Sequence, residues 1–553
     1  MYWLAILPCL LYSVLCADPE SRLVQLDQGP VRGYKDVKEG IFVFNGIPYA
    51  TAPTGRDRFK APLQPPTWSE PFEAKEKNIK CIHFNYMNMN VSKNDFQENC
   101  LIANIFVPEK IDRKLPVVVY VHGGAYVLGW GNIMQPKHLV KSNKVIAVTF
   151  NYRLAAHGFL CLGTKDVPGN AGMKDQVALL RWVSKNIAKF GGNPDEVTIA
   201  GYSAGSSAVD LLMISKMAQG LFKRVIPESG ANTAAFSIQS DPIENAKEYA
   251  KLLNFKNVED FDALEEFYKT VSIEELNSLN VMERKDSTFF MSPCVERDVG
   301  QERFLDDNPV QILKSGNYKK YPMLCGFADM EGLFRLPLFD TWKDQMNAKF
   351  SDFLLPDLKF ADETEKEQVA NKIKQFYFGN KGVGDETVLG YINYFSDVIF
   401  TYPTLRAIKM HVENGHKEIY LYEYSFVDND VPVIPHTNIR GADHCAQTQA
   451  VLDGIWTVLD ENLISSDYQK IKAVTRELWL NFITTGKPVP ADSKLPAWQP
   501  VGSDWSPHMS INRTLELRGS LLKERTLFWE EIYDKYYRFP LKPTVPSSKK
   551  TEL

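Results

Sequence analysis

Gly201-Tyr202-Ser203-Ala204-Gly205 stands directly after a strand-like run, residues 196–200, and before a helix-like run, residues 206–217. Strand, tight turn, helix is the order that exposes a serine hydroxyl at a strand end. The two glycines let the backbone turn sharply where a Cβ would clash. A hydroxyl is a weak nucleophile by itself, so the turn has meaning only if the chain also supplies a base and an acid to orient it.

The flanking sequence repeats the strand-then-helix order. Residues 115–121 (Leu-Pro-Val-Val-Val-Tyr-Val) and 145–150 (Val-Ile-Ala-Val-Thr-Phe) are continuous apolar runs, as parallel strands buried on both faces show. Residues 197–200 form a third. Between the last two, Met173, Val177, Leu180, Val183 and Ile187 recur at helical spacing across residues 171–190. This alternation predicts an α/β fold, a central and mostly parallel sheet flanked by helices. The 553-residue length alone suggests about three or four domains. If the candidate groups below meet at one site, however, residues 203 to 444 belong to one unit, and 18–546 is expected to be a single domain.

Three segments supply partners for Ser203. His122-Gly123-Gly124-Ala125-Tyr126 follows the first apolar strand, and its small residues let backbone amides approach a carbonyl oxygen. Gly124, Ala125 and Ala204 are the candidate oxyanion donors, a group whose members are each worth about 3–4 kcal/mol in known hydrolases. His444, in Gly441-Ala442-Asp443-His444, is the candidate base among nine histidines. His436 is its rival, in a proline-flanked loop. His83, His411, His416 and His508 sit in polar sequence, His138 and His157 read as structural, and His122 belongs to the oxyanion loop. Glu331, just past the strand-like Met323-Leu324-Cys325, is the candidate acid, with Asp329 the alternative. A carboxylate there would fix the imidazole tautomer and stabilise the imidazolium.

Residues 1–17 read as a secretory signal: an apolar run, small residues before Asp18, and too short a span to cross a membrane. Asn90 and Asn512 open glycosylation sequons. Residues 547–553 form a polar tail ending Lys-Thr-Glu-Leu, close to an endoplasmic-reticulum retention signal, so a secreted or lumenal location is expected. Of the six cysteines after the leader, Cys81 and Cys100 bracket a polar loop and are the best candidate pair; Cys161, Cys294, Cys325 and Cys445 read as buried free thiols. No cysteine or histidine spacing suggests a metal, and no cofactor is expected. A net charge of −5 without basic clusters argues against nucleic acid, and no later stretch is long and apolar enough for a transmembrane anchor.

The order Ser203, Glu331, His444 is that of α/β-hydrolases. Together with Asn45-Gly46-Ile47-Pro48-Tyr49-Ala50, Asn151-Tyr152-Arg153-Leu154, the run from Gly169 through Gln176 and Phe190-Gly191-Gly192-Asn193-Pro194, it makes the chain resemble the carboxylesterase/cholinesterase family over nearly its whole length. Within that family it is similar to insect, lepidopteran, carboxylesterases related to antennal and gut esterases. The resemblance implies the α/β-hydrolase fold, the triad Ser203–Glu331–His444, a first disulfide loop Cys81–Cys100, and a Glu98–Arg58 pair. The chain departs from the family at Asn99 and Gln447, where acids are usual. Tyr202 replaces the glutamate of cholinesterases and the glutamine of juvenile hormone esterases, and residues 81–100 lack the tryptophan that holds a quaternary ammonium.

The expected function is therefore hydrolysis of uncharged short-to-medium acyl esters (odorant, dietary or xenobiotic) through an acyl-enzyme, with organophosphates as covalent inhibitors. Choline esters and juvenile hormone are not expected as main substrates. The alternative is a slow-turnover or non-catalytic sequestering protein on the same scaffold. The segment 521–537, rich in Leu, Phe and Ile, is either core packing or a dimer face, so the chain is expected to be a monomer or homodimer.

Overall fold

The computed structural model describes residues 20–76, 78–83, 95–279, 283–454 and 461–545. The leader, the Asn90 sequon and the C-terminal tetrapeptide lie outside the described residues.

One sheet of 13 strands organises the chain. Its labelled strands are β1 (Ser21–Leu26), β2 (Gly29–Asp36), β3 (Ile41–Pro48), β4 (Ile102–Pro108), β5 (Leu115–Val121), β6 (Ile146–Phe150), β7 (Gly192–Tyr202), β8 (Arg224–Glu228), β9 (Met323–Ala328), β10 (Ile419–Tyr424), β11 (His508–Ile511) and β12 (Leu515–Arg518). They run in the order β1-β2-β3-β4-β6-β5-β7-β8-β9-β10-β11-β12, with the short Phe72–Glu73 beside β2. The stretch from β6 to β11 is parallel throughout. The strands β1–β4 at one side and β12 at the other are antiparallel.

Alternation along β5 explains why a continuous apolar run is a strand. Val117, Val119 and Val121 enter the core on one face of the sheet, while Val118 and Tyr120 enter the core on the other. Each fully buried valine contributes about 1.5–3 kcal/mol, and a one-residue slip would exchange every side chain between the faces. On the first face lie α1 (Ala171–Asn186), α2 (Ala204–Ile214) and α4 (Lys523–Tyr536); on the second lies α3 (Ser466–Thr485). Helix α1 presents Met173, Val177, Leu180 and Val183 to the core and stops where Gly191 adopts φ 91° after one tighter turn. The C-terminal helix packs into the core through Trp529, Ile532 and Tyr533, Phe528 stacks on Phe376 at 3.9 Å, and Leu527 stays exposed.

Cys81–Cys100 forms the expected disulfide. A second bridge, Cys161–Cys294, corrects the reading of both residues as free thiols; Cys325 and Cys445 are free and buried. The two halves of that bridge are 133 residues apart, a distance at which spacing carries no pairing signal. They meet because Gly169 leaves room: a Cβ there would stand 2.6 Å from each sulfur. Asn170 clamps the same junction, donating to the Cys294 carbonyl at 2.8 Å and accepting from its amide at 2.9 Å.

Candidate active site

Ser203 caps β7 with φ 56° and ψ −125°, a conformation that costs a side-chain-bearing residue about 1–3 kcal/mol. Its amide donates to the Glu228 carbonyl on β8 at 2.9 Å, and its carbonyl accepts from Ser207 one turn into α2 at 3.1 Å. The flanking glycines are required by close approach. A Cβ on Gly205 would lie 2.2 Å from the Val121 carbonyl, and one on Gly201 would lie 2.5 Å from the carbonyl of Gly205. The turn is thus wedged against the end of β5, at the point where strand order reverses in the sheet.

Glu331 opens a tight helical turn, Glu331–Leu338, after β9, and His444 follows the loop from β10. His444 Nε2 lies 2.9 Å from Ser203 Oγ and Nδ1 lies 2.5 Å from Glu331 Oε2. A carboxylate offers only acceptors, so the imidazole hydrogen sits on Nδ1 and Nε2 is free to take the serine proton. Glu331 is fully buried. Its other oxygen accepts from Ser229 Oγ at 2.5 Å and from the Ala328 amide at 2.8 Å. Gln447 Nε2 in turn donates to Ser229 Oγ at 2.6 Å. Phe400 stacks on the imidazole with centroids 4.1 Å apart, Phe334 stands at 5.6 Å, and Cys445 Sγ lies 3.4 Å from Nε2.

The glycine loop after β5 lies against Ser203: a Cβ on Gly123 would stand 2.9 Å from its Cβ. Gly124, Ala125 and Tyr126 take φ of 108°, 56° and 61°, which turns their amides out of the strand register. Among the described residues, the amides of Gly124 and Ala125 donate to no backbone carbonyl. His122 is no rival base. Burial lowers it to about 4, its Nδ1 donates to the Gly123 carbonyl at 2.8 Å, and its ring stacks on Tyr152 at 4.4 Å.

The remaining candidates separate cleanly. Asp329 accepts from the Ala442 amide at 2.9 Å, so it fastens the loop that carries His444 and does not touch the ring. Burial raises it to about 7, with Glu423 and Glu331 adding to the shift. His436 is on the surface, 3.5 Å from Asp385. His411, His416 and His508 are buried despite their polar sequence neighbours, because flanking apolar residues carry them inward. The Glu98–Arg58 pair implied by resemblance makes no direct ion-pair contact among the described residues, although the charge of Glu98 acts on Arg58. Arg58 donates to the carbonyls of Tyr268 and Val271, at 2.5 and 2.8 Å, and Asn99 accepts from Ala52. Asn512 lies in the β11–β12 turn, its amide donating to Ser425.

The described residues contain one cluster with metal-ligand chemistry, His138, Asp453 and Glu461. It carries its own countercharge. Arg476 grips Glu461 through two nitrogens at 3.0 and 2.6 Å, and Lys472 adds a third contact at 3.2 Å. Burial pushes Glu461 up, but these cations overcome it and hold the carboxyl at about 2.

Sequence reasoning missed Ser229, Phe400 and Phe334. Ser229 had a detectable signal only in following the buried run of β8. The aromatic rings had none, since a phenylalanine beside a catalytic base and one in the core are spelled alike. Glu228 was also missed. It is buried, accepts from the Tyr120 hydroxyl, and burial raises it to about 8.

Residues 20–529 match the model of the carboxylesterase family. The juvenile hormone esterase of Heliothis virescens is 32% identical over 509 residues, covering 87% of this chain and 88% of its own. Esterase FE4 of Myzus persicae is 31% identical over 516 residues, covering 88% of each. Among solved structures, the juvenile hormone esterase from Manduca sexta with OTFP covalently attached superposes with a TM-score of 0.83 at 30% identity, covering 93% of this chain and 100% of that one.

Proposed function

Because the chain belongs to the carboxylesterase family and is an esterase, we propose that it hydrolyses uncharged esters of short to medium acyl chain, with Ser203 as nucleophile. The observation that carries this reading is the unbroken chain from Ser203 Oγ through both ring nitrogens of His444 to a buried Glu331. Ser203 attacks the ester carbonyl while His444 Nε2 takes its proton, and the amides of Gly124, Ala125 and Ala204 hold the oxyanion. The tetrahedral intermediate collapses to an acyl-enzyme as His444 returns that proton to the departing alcohol. His444 then deprotonates water, which releases the acid and restores the serine.

An apolar acyl group is supported by the rings that run on from His444: Phe400, then Phe236 at 5.8 Å from it, then Phe289 at 5.7 Å. Organophosphates should trap Ser203 for the same reason that they resemble the tetrahedral state, and a solved relative already carries a covalent OTFP. Two disulfides suit an oxidising compartment and so support reading residues 1–17 as a secretory leader.

The test is hydrolysis of p-nitrophenyl esters from acetate to decanoate, paired with fluorophosphonate labelling and peptide mass spectrometry. Turnover with the label on Ser203 is expected, and Ser203→Ala should remove both. Wild-type turnover in that variant would overturn the assignment. Labelling without turnover would move the chain to the sequestering alternative.

A further inference from the structure

A cavity of about 750 Å³ opens beside the catalytic segments and not over Ser203. Its volume falls within the range of small-molecule sites. One wall is Leu333 and Leu336, from the turn that begins at Glu331. Another is the backbone of Gly441 and Ala442, immediately before His444. Three aromatic side chains, Tyr424, Phe426 and Tyr468, complete an apolar floor, with Phe426 and Tyr468 stacked at 5.6 Å and 20°.

Its charge is of one sign. Asp428, Asp430 and Asp443 line the cavity, and no lysine, arginine or histidine does. Among the described residues none of the three carboxylates has an ion-pair partner. The cations that flank it are engaged elsewhere, Lys472, 5.4 Å over the Tyr468 ring, with Glu461 at 3.2 Å. Arg440 Nε donates to the Val431 carbonyl at 2.6 Å, and Arg513, 5.5 Å over the Phe426 ring, is paired with Asp467. An aromatic floor with unpaired carboxylates at its rim is complementary to an alkyl chain ending in a cation, and it disfavours a fatty-acid anion such as an ester's own acid product.

We propose that this cavity is a second ligand site, separate from the ester cleft, that takes a small amphipathic cation such as an alkylamine or alkylammonium. The apolar tail lies on the aromatic floor and the ammonium meets Asp428 and Asp430. Because two walls belong to the segments carrying Glu331 and His444, occupancy changes the rate of the chemical step without competing for ester.

The binding arm does not depend on the esterase reading, so it is measured on full-length Ser203→Ala by equilibrium dialysis with decyltrimethylammonium, decanoate and decanol. The ammonium is expected to bind about tenfold or more tighter than decanoate, since two or three partly exposed charge contacts add to the ring contact. The double variant Asp428→Asn/Asp430→Asn should lose that preference while its own p-nitrophenyl acetate turnover stays at the wild-type level. In wild type the ammonium should alter kcat and leave KM in place. Equal binding of cation and anion, a preference that survives the double variant, or purely competitive inhibition would each overturn the site.

Discussion

A hydroxyl has one hydrogen, and Ser229 stands between Glu331 and Gln447. Glu331 can only accept, so the hydrogen goes there, and residue 447 must donate. An amide does this at every pH, whereas a carboxylate does it only when protonated. Gln447→Glu should therefore add to the pH profile of kcat/KM a loss of activity with rising pH, as the new carboxyl ionises, that wild type does not show. Gln447→Leu should lower kcat by about tenfold without that ionisation. Superimposable profiles for wild type and Gln447→Glu would show that something else orients Ser229. Glu228 makes a separate prediction. Its folded value of about 8 exceeds the ordinary 4.5, so the folded state holds a proton that the unfolded state releases. Stability from this group is greatest below about pH 4.5 and is lost as pH rises to 8. Melting temperatures followed from pH 5 to 8.5 should decline more steeply in wild type than in Glu228→Gln, and parallel curves would refute the assignment.

At the scale of elements, the site is assembled from strand ends: the glycine loop after β5, Ser203 after β7, Ser229 after β8 and Glu331 after β9. The strands were legible because burial on both faces writes a continuous apolar run. Residues 115–121 were expected as a strand and are one, and Ser203 was placed correctly between β7 and α2. The longer β7, extending back to Gly192, was not legible, since Asn193, Pro194 and Asp195 have loop composition and, of the extension, Gly192 alone pairs with β5, across an irregularity. Nor was the widened turn Asp397–Thr401 that swings Phe400 onto the imidazole. Such a turn depends on backbone spacing against neighbours and not on local residue type. The Cys161–Cys294 bridge closes a long loop beside α1. Replacing both cysteines with serine should cost about 2–4 kcal/mol, read from the urea midpoint at pH 7. An unchanged midpoint would mean that the Asn170 clamp holds the junction unaided.

Across the whole molecule, the sheet runs without a break from β1 near residue 21 to β12 near residue 518, and both of its faces are covered. No part of it can be exposed without stripping one of the two cores. Thermal unfolding should therefore be a single transition in calorimetry, and two resolved peaks would argue against residues 18–546 being one unit. Residue identity alone determined the alternation of strands and helices, the tight turn at Ser203, and the candidates Glu331 and His444, because each is a local pattern of burial or chemistry. The tertiary structure alone decided the partner of Cys161, the polarity of the Gln447–Ser229–Glu331 chain, the rings around His444 and the acidic cavity beside it. These depend on which segments touch in three dimensions, and such contact leaves no periodic trace in a single chain.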